Sequence, residues 1–424
     1  MFWTSAKNFS FQGISCGHRY KRENLALIKV LVVDDSAFMR SALTRMLEED
    51  PEIKVIGQAR DGEEGLRKVQ ELNPDLITLD LEMPKLDGIG MLERLMKTNP
   101  KPVLIVSSLS VEGAEPTLRA LEAGALDFIP KYQEGGFSLD FLRRELHGKV
   151  KAVARRGRFM RPASFSHTDV RSHPDSAAHP VFKSRLLSSV TRPAAATSPV
   201  VGSREPFRFS SVRSSGNASV AEHVAPPVAR VGRVKRDIVA IGVSTGGPPA
   251  VQKVLSQLPA DFPACILIAQ HMPATFTEAF ARRLDNVCKI HVSEAKGGDK
   301  IGPGLAYVCP GGKHLRLDMR GPLPVIDVVT EPASALYKPS VNVLMESVGR
   351  SLGRRVVGVT MTGMGSDGVE GSKILKEKGG YLIAQNEASC VVYGMPKAVV
   401  DAGLADEVVD LDSLAKSIQD ALYR

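Results

Sequence analysis

The chain has 424 residues, of which 43% are apolar, and carries a formal net charge of +8. This length exceeds what one ordinary hydrophobic core holds, so we predict more than one domain. No run approaches the ~20 apolar residues of a membrane-spanning helix, and residues 1–27 lack the apolar centre of a secretory signal. The five cysteines are scattered and include no C-x-x-C pair. We therefore expect a cytoplasmic protein with reduced thiols and no membrane insertion.

The positive charge is concentrated in one segment. Residues 151–235 contain fifteen Lys and Arg against four Asp and Glu, a net +11 that leaves −3 for the rest of the chain. The segment is rich in Ser, Pro and Ala and has no sustained apolar period, which is typical of disorder. We predict a long disordered linker at 149–233 between one domain at 28–148 and another at 234–424, with residues 1–27 as an N-terminal extension. Because the linker contains no recognition helix, no nucleic-acid partner is expected.

Residues 28–148 alternate short apolar runs with helical patterns. The runs predict strands at 29–33, 54–59, 76–80, 102–107 and 127–131, and helices fall near 37–49, 62–72, 88–98 and 112–123, followed by a closing helix. Strands that alternate with helices predict a doubly wound parallel sheet of the α/β class. Ligands of such sheets bind beyond the carboxyl ends of the strands. Five polar residues stand at those ends: Asp34, Asp35, Asp80, Ser107 and Lys131.

These residue types suggest a phosphorylation site. The carboxylates of Asp34, Asp35 and Asp80 would repel one another at one sheet edge unless a cation neutralised them. Oxygen ligands of this kind suit Mg²⁺, so we predict a magnesium site. With the ion and the ammonium of Lys131 in place, Asp80 could attack a phosphoryl group as the nucleophile. The hydroxyl of Ser107 would then donate to a phosphoryl oxygen and draw its loop inward, as in a conformational switch.

Residues 234–424 repeat the α/β architecture with different residues at the strand ends. Apolar runs end in a serine, a histidine and an aspartate, at 237–244, 264–271 and 355–367. The residues near 313–328 predict an antiparallel hairpin inserted between parallel units. Two further histidines, His291 and His314, are interpreted as strand or surface residues, because neither ends a long apolar run beside glycines.

Residues 242–246 match the G-x-S-x-G pattern, which places a nucleophilic serine, here Ser244, at a strand-to-helix turn. The helix that starts near Gly247 would direct N–H groups at an oxyanion there. His271 is the candidate general base, and Asp367 would hold its imidazole in the required tautomer. The order Ser, His, Asp differs from the Ser, Asp, His of lipase-like hydrolases. A Gly-rich turn also suits phosphate binding, but the dinucleotide pattern G-x-G-x-x-G is missing.

Four motifs of the first domain, VDDS, TLDLEMPKLDG, VSS and the Lys of DFIPK, resemble the receiver domain of two-component response regulators. The resemblance implies a flavodoxin-like domain that a histidine kinase phosphorylates in the presence of Mg²⁺. The residues it implies are the phospho-acceptor Asp80, the metal-site residues Asp34, Asp35, Asp80 and, through its backbone, Glu82, and the switch pair Ser107 and Lys131.

Five motifs of the second domain, GVSTGGPPAV, QHMPATFTEAFARRL, KPSVNVLMESV, TGMGSDG and AQNEASCVVYGMP, resemble the catalytic domain of chemotaxis protein-glutamate methylesterases of the CheB type. The resemblance implies a Rossmann-like domain without a cofactor in the esterase site. It implies hydrolysis of glutamate γ-methyl esters, and deamidation of glutamines, on the cytoplasmic domains of methyl-accepting chemoreceptors. The residues it implies are the nucleophile Ser244, the base His271, the orienting acid Asp367 and, on the oxyanion side, Thr245 and the backbone N–H of Met364.

Two other functions stay open at this point. In a non-catalytic signalling adaptor, the receiver would control a binding module instead of an enzyme. A transcriptional regulator would need a helix-turn-helix output domain, which the sequence does not show. If the chain is a hydrolase, we expect the unphosphorylated receiver to cover the Ser244 site and phosphorylation of Asp80 to uncover it.

Overall fold

The computed structural model describes residues 27–107, 111–131, 139–157, 233–321 and 323–424. The predicted N-terminal extension, apart from residue 27, lies outside these ranges, and so does the predicted linker from residue 158 to residue 232. Within the described part of the chain, no helix has both the length and the apolar character needed to cross a membrane.

Within the described residues, the first domain is a parallel sheet of five strands with five helices. The strands lie in the order β2-β1-β3-β4-β5 and are β1 (Ile28–Val33), β2 (Ile53–Ala59), β3 (Leu76–Leu79), β4 (Val103–Ser107) and β5 (Asp127–Pro130). The helices are α1 (Ala37–Glu48), α2 (Gly62–Leu72), α3 (Gly88–Thr98), α4 (Val111–Glu122) and α5 (Leu139–Gly157). Alternate residues of β1 belong to different apolar clusters, so both faces of the sheet are covered.

Short polar residues set where the first three helices begin. Ser36, Asp61 and Asp87 stand in extended backbone just before α1, α2 and α3. Each side chain accepts a hydrogen bond from an N–H of the first helical turn, which satisfies a group that the helix itself leaves unpaired. These caps fix the carboxyl-end loops of the first strands, where the acidic residues lie.

The last helix of the first domain is longer than predicted. It continues to Gly157, so residues 149–157 are helical although the sequence assigned them to the linker. The extension is held by Val150, Val153 and Ala154, which are all buried. Val153 and Ala154 lie three and four residues after Val150, so all three are on one face of the helix. Their burial stabilises the helix in a segment whose basic composition suggested a linker.

The second domain contains, within the described residues, a parallel sheet of seven strands and a separate hairpin. The sheet has the order β14-β13-β12-β6-β7-β9-β8 and consists of β6 (Ile238–Val243), β7 (Cys265–Gln270), β8 (His291–Glu294), β9 (Leu305–Val308), β12 (Val356–Thr360), β13 (Tyr381–Gln385) and β14 (Glu407–Val409). The hairpin is antiparallel and consists of β10 (His314–Arg320) and β11 (Leu323–Val329). The helices are α6 (Gly247–Leu255), α7 (Ala274–Val287), α8 (Val341–Leu352), α9 (Val369–Glu377), α10 (Met395–Asp401) and α11 (Leu411–Ala421). The predicted fold class, two parallel-sheet domains with an antiparallel hairpin in the second, is confirmed.

The two domains pack against each other through apolar and charged side chains. Buried apolar residues of both domains form one continuous cluster. The ring of Phe128 on β5 lies 4.7 Å from the ring of Phe276 on α7, measured between centroids. Beside this contact, Arg283 of α7 forms ion pairs with Glu115 and Glu122 of α4. One side of the first domain therefore rests on the helix that follows His271.

Candidate active site and acidic site

The acidic residues of the first domain meet at the carboxyl ends of β1 and β3. Ligand oxygens of Asp34, Asp35 and Asp80 lie within 4.8 Å of one another. Asp34 and Asp80 are buried, whereas Asp35 is exposed. The ammonium of Lys131, at the end of β5, lies 2.9 Å from Oδ2 of Asp34 and 2.6 Å from Oδ2 of Asp80. The fold therefore brings the adjacent Asp34 and Asp35 together with Asp80 and Lys131, which are distant in the sequence.

The electrostatics of this group depend on Lys131. Burial raises the pKa of Asp80, and the nearby ammonium of Lys131 offsets this only in part. Burial also lowers the pKa of Lys131, but the carboxylates of Asp80 and Asp34 outweigh burial, so the pKa of the ammonium is raised. Three converging carboxylates with one cation leave uncompensated negative charge, and hard oxygen ligands are those that Mg²⁺ prefers. The donor set fits the predicted ion.

The two other predicted residues lie beside this group in different ways. Ser107 ends β4 and is buried, and its carbonyl accepts a hydrogen bond of 2.8 Å from the N–H of Lys131. Glu82 is exposed, and its carboxylate is not part of the group of three acidic side chains that the described residues form. A part for Glu82 in binding an ion would therefore fall to its backbone.

The second site lies at the carboxyl ends of three neighbouring strands, β12, β6 and β7. Ser244 follows β6, His271 follows β7, and Asp367 stands in the loop after β12. At Ser244 the chain turns tightly: its carbonyl accepts a hydrogen bond of 2.8 Å from the N–H of Gly247. Gly246 has a φ of +73°, and a Cβ there would lie 2.5 Å from Val391, so the turn requires glycine.

His271 and Asp367 are joined by a hydrogen bond. Nε2 of His271 lies 2.9 Å from Oδ2 of Asp367, and both side chains are more than nine-tenths buried. The other ring nitrogen, Nδ1, is buried and has no hydrogen-bond partner among the described residues. His271 and Ser244 line the same cavity of about 360 Å³. In the described residues no hydrogen bond joins the two, so Nδ1 is the nitrogen that remains for the serine.

The carboxylate of Asp367 sits at the N-terminus of α8. Its Oδ1 accepts hydrogen bonds of 3.0 Å from Oγ of Ser340 and from the N–H of Asn342, and its Oδ2 accepts one of 2.7 Å from the N–H of Val341. Burial by itself would raise the pKa of Asp367, but His271 and the α8 backbone outweigh it, so the pKa is lowered. Asp367 is therefore held as an anion facing the imidazole.

The oxyanion side differs in one respect from the sequence-based expectation. Helix α6 was expected to direct its first N–H groups at Ser244, but two of its first three residues are Pro248 and Pro249, which have no N–H. The available donors belong to the adjacent loops. The N–H groups of Thr245 and Met364 donate to no described residue, and both residues line the cavity beside Ser244.

Two residues that the sequence analysis did not single out, Gln270 and Tyr337, contact Ser244 or His271. The side-chain amide of Gln270 is buried, and its Nε2 donates to the carbonyls of Ser244 (3.0 Å) and His271 (3.1 Å). A polar residue that ends the otherwise apolar run of β7 is a signal that could have identified it. The ring of Tyr337 stacks on His271, and no sequence signal predicts this contact because it depends on the loop before α8.

Residues of both domains line the cavity beside Ser244. The first domain contributes Phe128, Pro130, Glu145 and Lys149, from β5 and α5. At Gly148 of α5 the backbone comes so close that an added Cβ would lie 3.0 Å from Cε of Met364. The first domain therefore forms part of the lining of this cavity.

Comparisons with known proteins match both domains. Residues 30–136 match the family model described as the response regulator receiver domain, and residues 239–418 match the CheB methylesterase model. A protein-glutamate methylesterase/protein-glutamine glutaminase of Lawsonia intracellularis is 55% identical over 94% of this chain and 100% of its own length. One of Nitratidesulfovibrio vulgaris is 56% identical, again over 94% of this chain and 100% of its own. The solved CheB methylesterase catalytic domain of Thermotoga maritima is 35% identical and covers 44% of this chain and 99% of its own, with a TM-score of 0.43.

Proposed function

The chain belongs to the CheB-type family of protein-glutamate methylesterases/protein-glutamine glutaminases, and from that premise we propose that it hydrolyses glutamate γ-methyl esters, and deamidates glutamines, on the cytoplasmic domains of methyl-accepting chemoreceptors. The chain is a receiver-regulated hydrolase of bacterial chemotaxis. We propose a cytoplasmic location, because its substrates face that compartment, and a histidine kinase as the phosphodonor. Neither nucleic acid nor membrane insertion has a place in this proposal.

The observation that carries the proposed chemistry is the bond between Nε2 of His271 and Asp367 in the cavity that Ser244 lines. With the proton held on Nε2, Nδ1 is free to take the hydroxyl proton of Ser244 as Oγ attacks the substrate carbonyl. The oxyanion would accept hydrogen bonds from the N–H groups of Thr245 and Met364. Collapse breaks the ester or amide bond, and the imidazolium returns its proton to the leaving methanol or ammonia.

Water completes the reaction by attacking the acyl-enzyme ester. His271 takes the proton of the water, and the second collapse releases the receptor glutamate and returns the proton to Oγ of Ser244. Asp367 stays anionic throughout, because its lowered pKa keeps it ionised while the imidazole gains and loses a proton. Both substrates carry a side-chain carbonyl, so one set of residues serves both activities.

Control of this activity is assigned to the first domain, with Asp80 as the phospho-acceptor. Mg²⁺ bound by Asp34, Asp35 and Asp80 would supply positive charge to the phosphoryl oxygens. An oxygen of Asp80 would form the new bond to phosphorus as the bond to the kinase histidine breaks. Lys131, which now contacts Asp80, would then contact the phosphoryl group as well.

We assign gating to the packing of the domains. The first domain lines the cavity with Phe128, Pro130, Glu145 and Lys149, which supports a closed unphosphorylated state. Phosphorylation would favour the open state by weakening this contact. A change from 1% open to 99% open requires about 5.5 kcal/mol of differential free energy.

Methanol release from methylated chemoreceptor tests the proposed function. We expect the full-length chain to release methanol, a phosphodonor to raise the rate, and Ser244→Ala to lower kcat by about 10³-fold or more. The alternative, a non-catalytic adaptor, predicts no release by the wild-type chain and unchanged receptor binding by Ser244→Ala. If Ser244→Ala released methanol at the wild-type rate, Ser244 could not be the nucleophile.

A further inference from the structure

A second histidine is connected to the catalytic residues from the side away from Ser244. His314 begins β10, so it is a strand residue, one of the two interpretations that the sequence allowed, and it is completely buried. Its Nδ1 accepts a hydrogen bond of 3.2 Å from the backbone N–H of Ser340. Two residues earlier in each segment, the N–H of Gly312 donates to the carbonyl of Lys338, at 3.1 Å. The start of the hairpin therefore holds the residues before α8 at two points.

Ser340 connects His314 to the proposed triad, because it is hydrogen-bonded to both His314 and Asp367. It is the N-cap of α8, and its Oγ donates to Oδ1 of Asp367 at 3.0 Å. The next residue, Val341, donates its N–H to Oδ2, which also faces Nε2 of His271. The position of the Ser340 backbone therefore sets the positions of the Ser340 hydroxyl and the Val341 N–H, two of the three donors from this segment that hold the carboxylate.

We propose that His314 is a positioning residue for the esterase reaction. Through its acceptor nitrogen it fixes the N–H of Ser340, and Ser340 in turn fixes the Asp367 carboxylate against His271. This inference rests on the proposed function, because it assigns a role within the same triad. His314 does not line the cavity beside Ser244, so its effect acts through Ser340 and not through the substrate.

The arrangement requires one protonation state. Nδ1 can accept from Ser340 only if the imidazole is neutral and carries its proton on Nε2. Burial, followed by the cation of Lys338, lowers the pKa of His314, while the backbone of Pro332 and the carboxylates of Asp367 and Glu331 oppose this in part. The neutral form is thereby favoured, and protonation would place an N–H against the N–H of Ser340.

Three substitutions at His314 distinguish the effect of losing the Nδ1 acceptor from the effect of losing the volume of the ring. Asparagine at 314 puts a carbonyl oxygen near the place of Nδ1, glutamine puts it one bond farther along, and leucine removes it. We expect His314→Asn to retain kcat within about threefold, and His314→Gln and His314→Leu to lower kcat about 10- to 100-fold with KM within about twofold, as for a misplaced catalytic group. The assay is methanol release by the full-length chain, with the folded fraction at assay temperature measured by circular dichroism.

The matched control is His291, an exposed histidine with a side-chain exposure of 61%. The same three substitutions at His291 should leave kcat unchanged. Equal losses in all three His314 variants that remain folded, or no loss in any of them, would overturn the proposal. If the wild-type chain itself released no methanol, the proposed function would fail instead.

A measurement on the wild-type chain covers the case in which the variants do not fold. Long-range ¹H–¹⁵N correlation spectra of full-length protein labelled with ¹⁵N-histidine report which ring nitrogen of each histidine carries the proton. We expect His314 to remain neutral near pH 7 with the proton on Nε2. A proton on Nδ1 would contradict the proposal, whether or not the chain is an esterase.

Discussion

The ring of Tyr337 lies parallel to the imidazole of His271, with centroids 4.2 Å apart and an angle of 13° between the planes. Tyr337 precedes α8, and His271 follows β7, so the loop before α8 covers one face of the proposed base. Burial, together with Glu145 and Asp367, raises the pKa of Tyr337, and Lys149 opposes this in part. The phenol is therefore protonated at neutral pH and contributes its ring and not a charge.

Tyr337→Ala should lower kcat by releasing the imidazole face. An aromatic contact contributes about 0.5–1.5 kcal/mol beyond its buried area, so we expect a decrease of about 2- to 10-fold. Tyr337→Phe keeps the stacked ring and should retain kcat. Steady-state methanol release measures both variants, and an equal decrease in the two would show that the hydroxyl, rather than stacking, matters.

Gln270→Met should impair both stability and turnover. Methionine keeps the length of the side chain but removes the Nε2 donor that bridges the carbonyls of Ser244 and His271. Loss of this donor to two partly buried carbonyls, of which that of Ser244 keeps the N–H of Gly247, should cost about 0.5–1.5 kcal/mol in the free energy of unfolding, measured by urea titration. Gln257→Met is the control. Gln257 is exposed, and its side-chain amide donates only locally, to the carbonyl of Lys253 near the end of α6. A Gln270 variant as stable and as active as this control would exclude the bridge as a support of the site.

Arg283→Ala should raise the basal activity of the unphosphorylated full-length chain. Arg283 pairs with Glu115 and Glu122 across the domain contact, and its loss weakens the closed state without touching Ser244. Partly exposed ion pairs contribute about 0–1 kcal/mol each, so the expected increase is about 2- to 10-fold. Activity after treatment with a phosphodonor should be unchanged. The exposed neighbour Arg282 provides the control. An Arg283→Ala chain with the basal rate of Arg282→Ala would show that the Arg283 ion pairs do not hold the closed state.

Removal of divalent cations should affect phosphorylation of Asp80 but not ester hydrolysis at Ser244. Phosphorylation of Asp80 is expected to need Mg²⁺, whereas the esterase residues Ser244, His271 and Asp367 form no part of the acidic group. A chelator should therefore abolish the increase caused by a small phosphodonor and leave basal methanol release intact. Added Mg²⁺ should restore the increase, except in Asp80→Asn. Loss of basal release with the chelator would place a metal ion in the esterase reaction.

The stability of the wild-type chain should decrease as the pH falls below about 6.5, the ordinary pKa of histidine. Because the pKa of His314 is lowered in the folded chain, the unfolded chain binds the extra proton first. The contribution is complete above the unfolded pKa and is lost as the pH falls towards and through the folded pKa. Urea unfolding between about pH 7.5 and pH 5 measures this slope. His314→Asn should have a smaller slope than His291→Asn, and identical slopes would mean that His314 does not titrate differently in the two states.

The strand ends were predictable because a parallel sheet brings all its carboxyl ends to one edge. Asp80, Ser244 and His271 each stand at the end of a mainly apolar run, so their positions needed only the count and order of strands. The roles of Gln270 and His314 depend instead on side-chain hydrogen bonds between segments that are distant in sequence. Periodicity carries no information about such contacts.

The error at the end of α5 has a different origin. Composition placed the linker boundary at 148, since basic residues begin to accumulate there, whereas the buried Val150, Val153 and Ala154 repeat at helical spacing. The helical periodicity of these apolar residues was visible in the sequence, but the prediction of the boundary relied on composition instead. The missing donors of α6 were also visible, because the two prolines stand in the sequence at the start of that helix.

Strand β5 is only four residues long, and it ends immediately before Lys131. Phe128, near its beginning, touches the helix that follows His271, and Lys131 touches Asp80. At about 3.3 Å per residue, roughly 10 Å of rigid backbone separates the two contacts. A structural change at the Asp80 site could therefore reach the helix that follows His271 through this one short strand. Coupling between the two centres through this strand does not depend on the covalent linker between the domains.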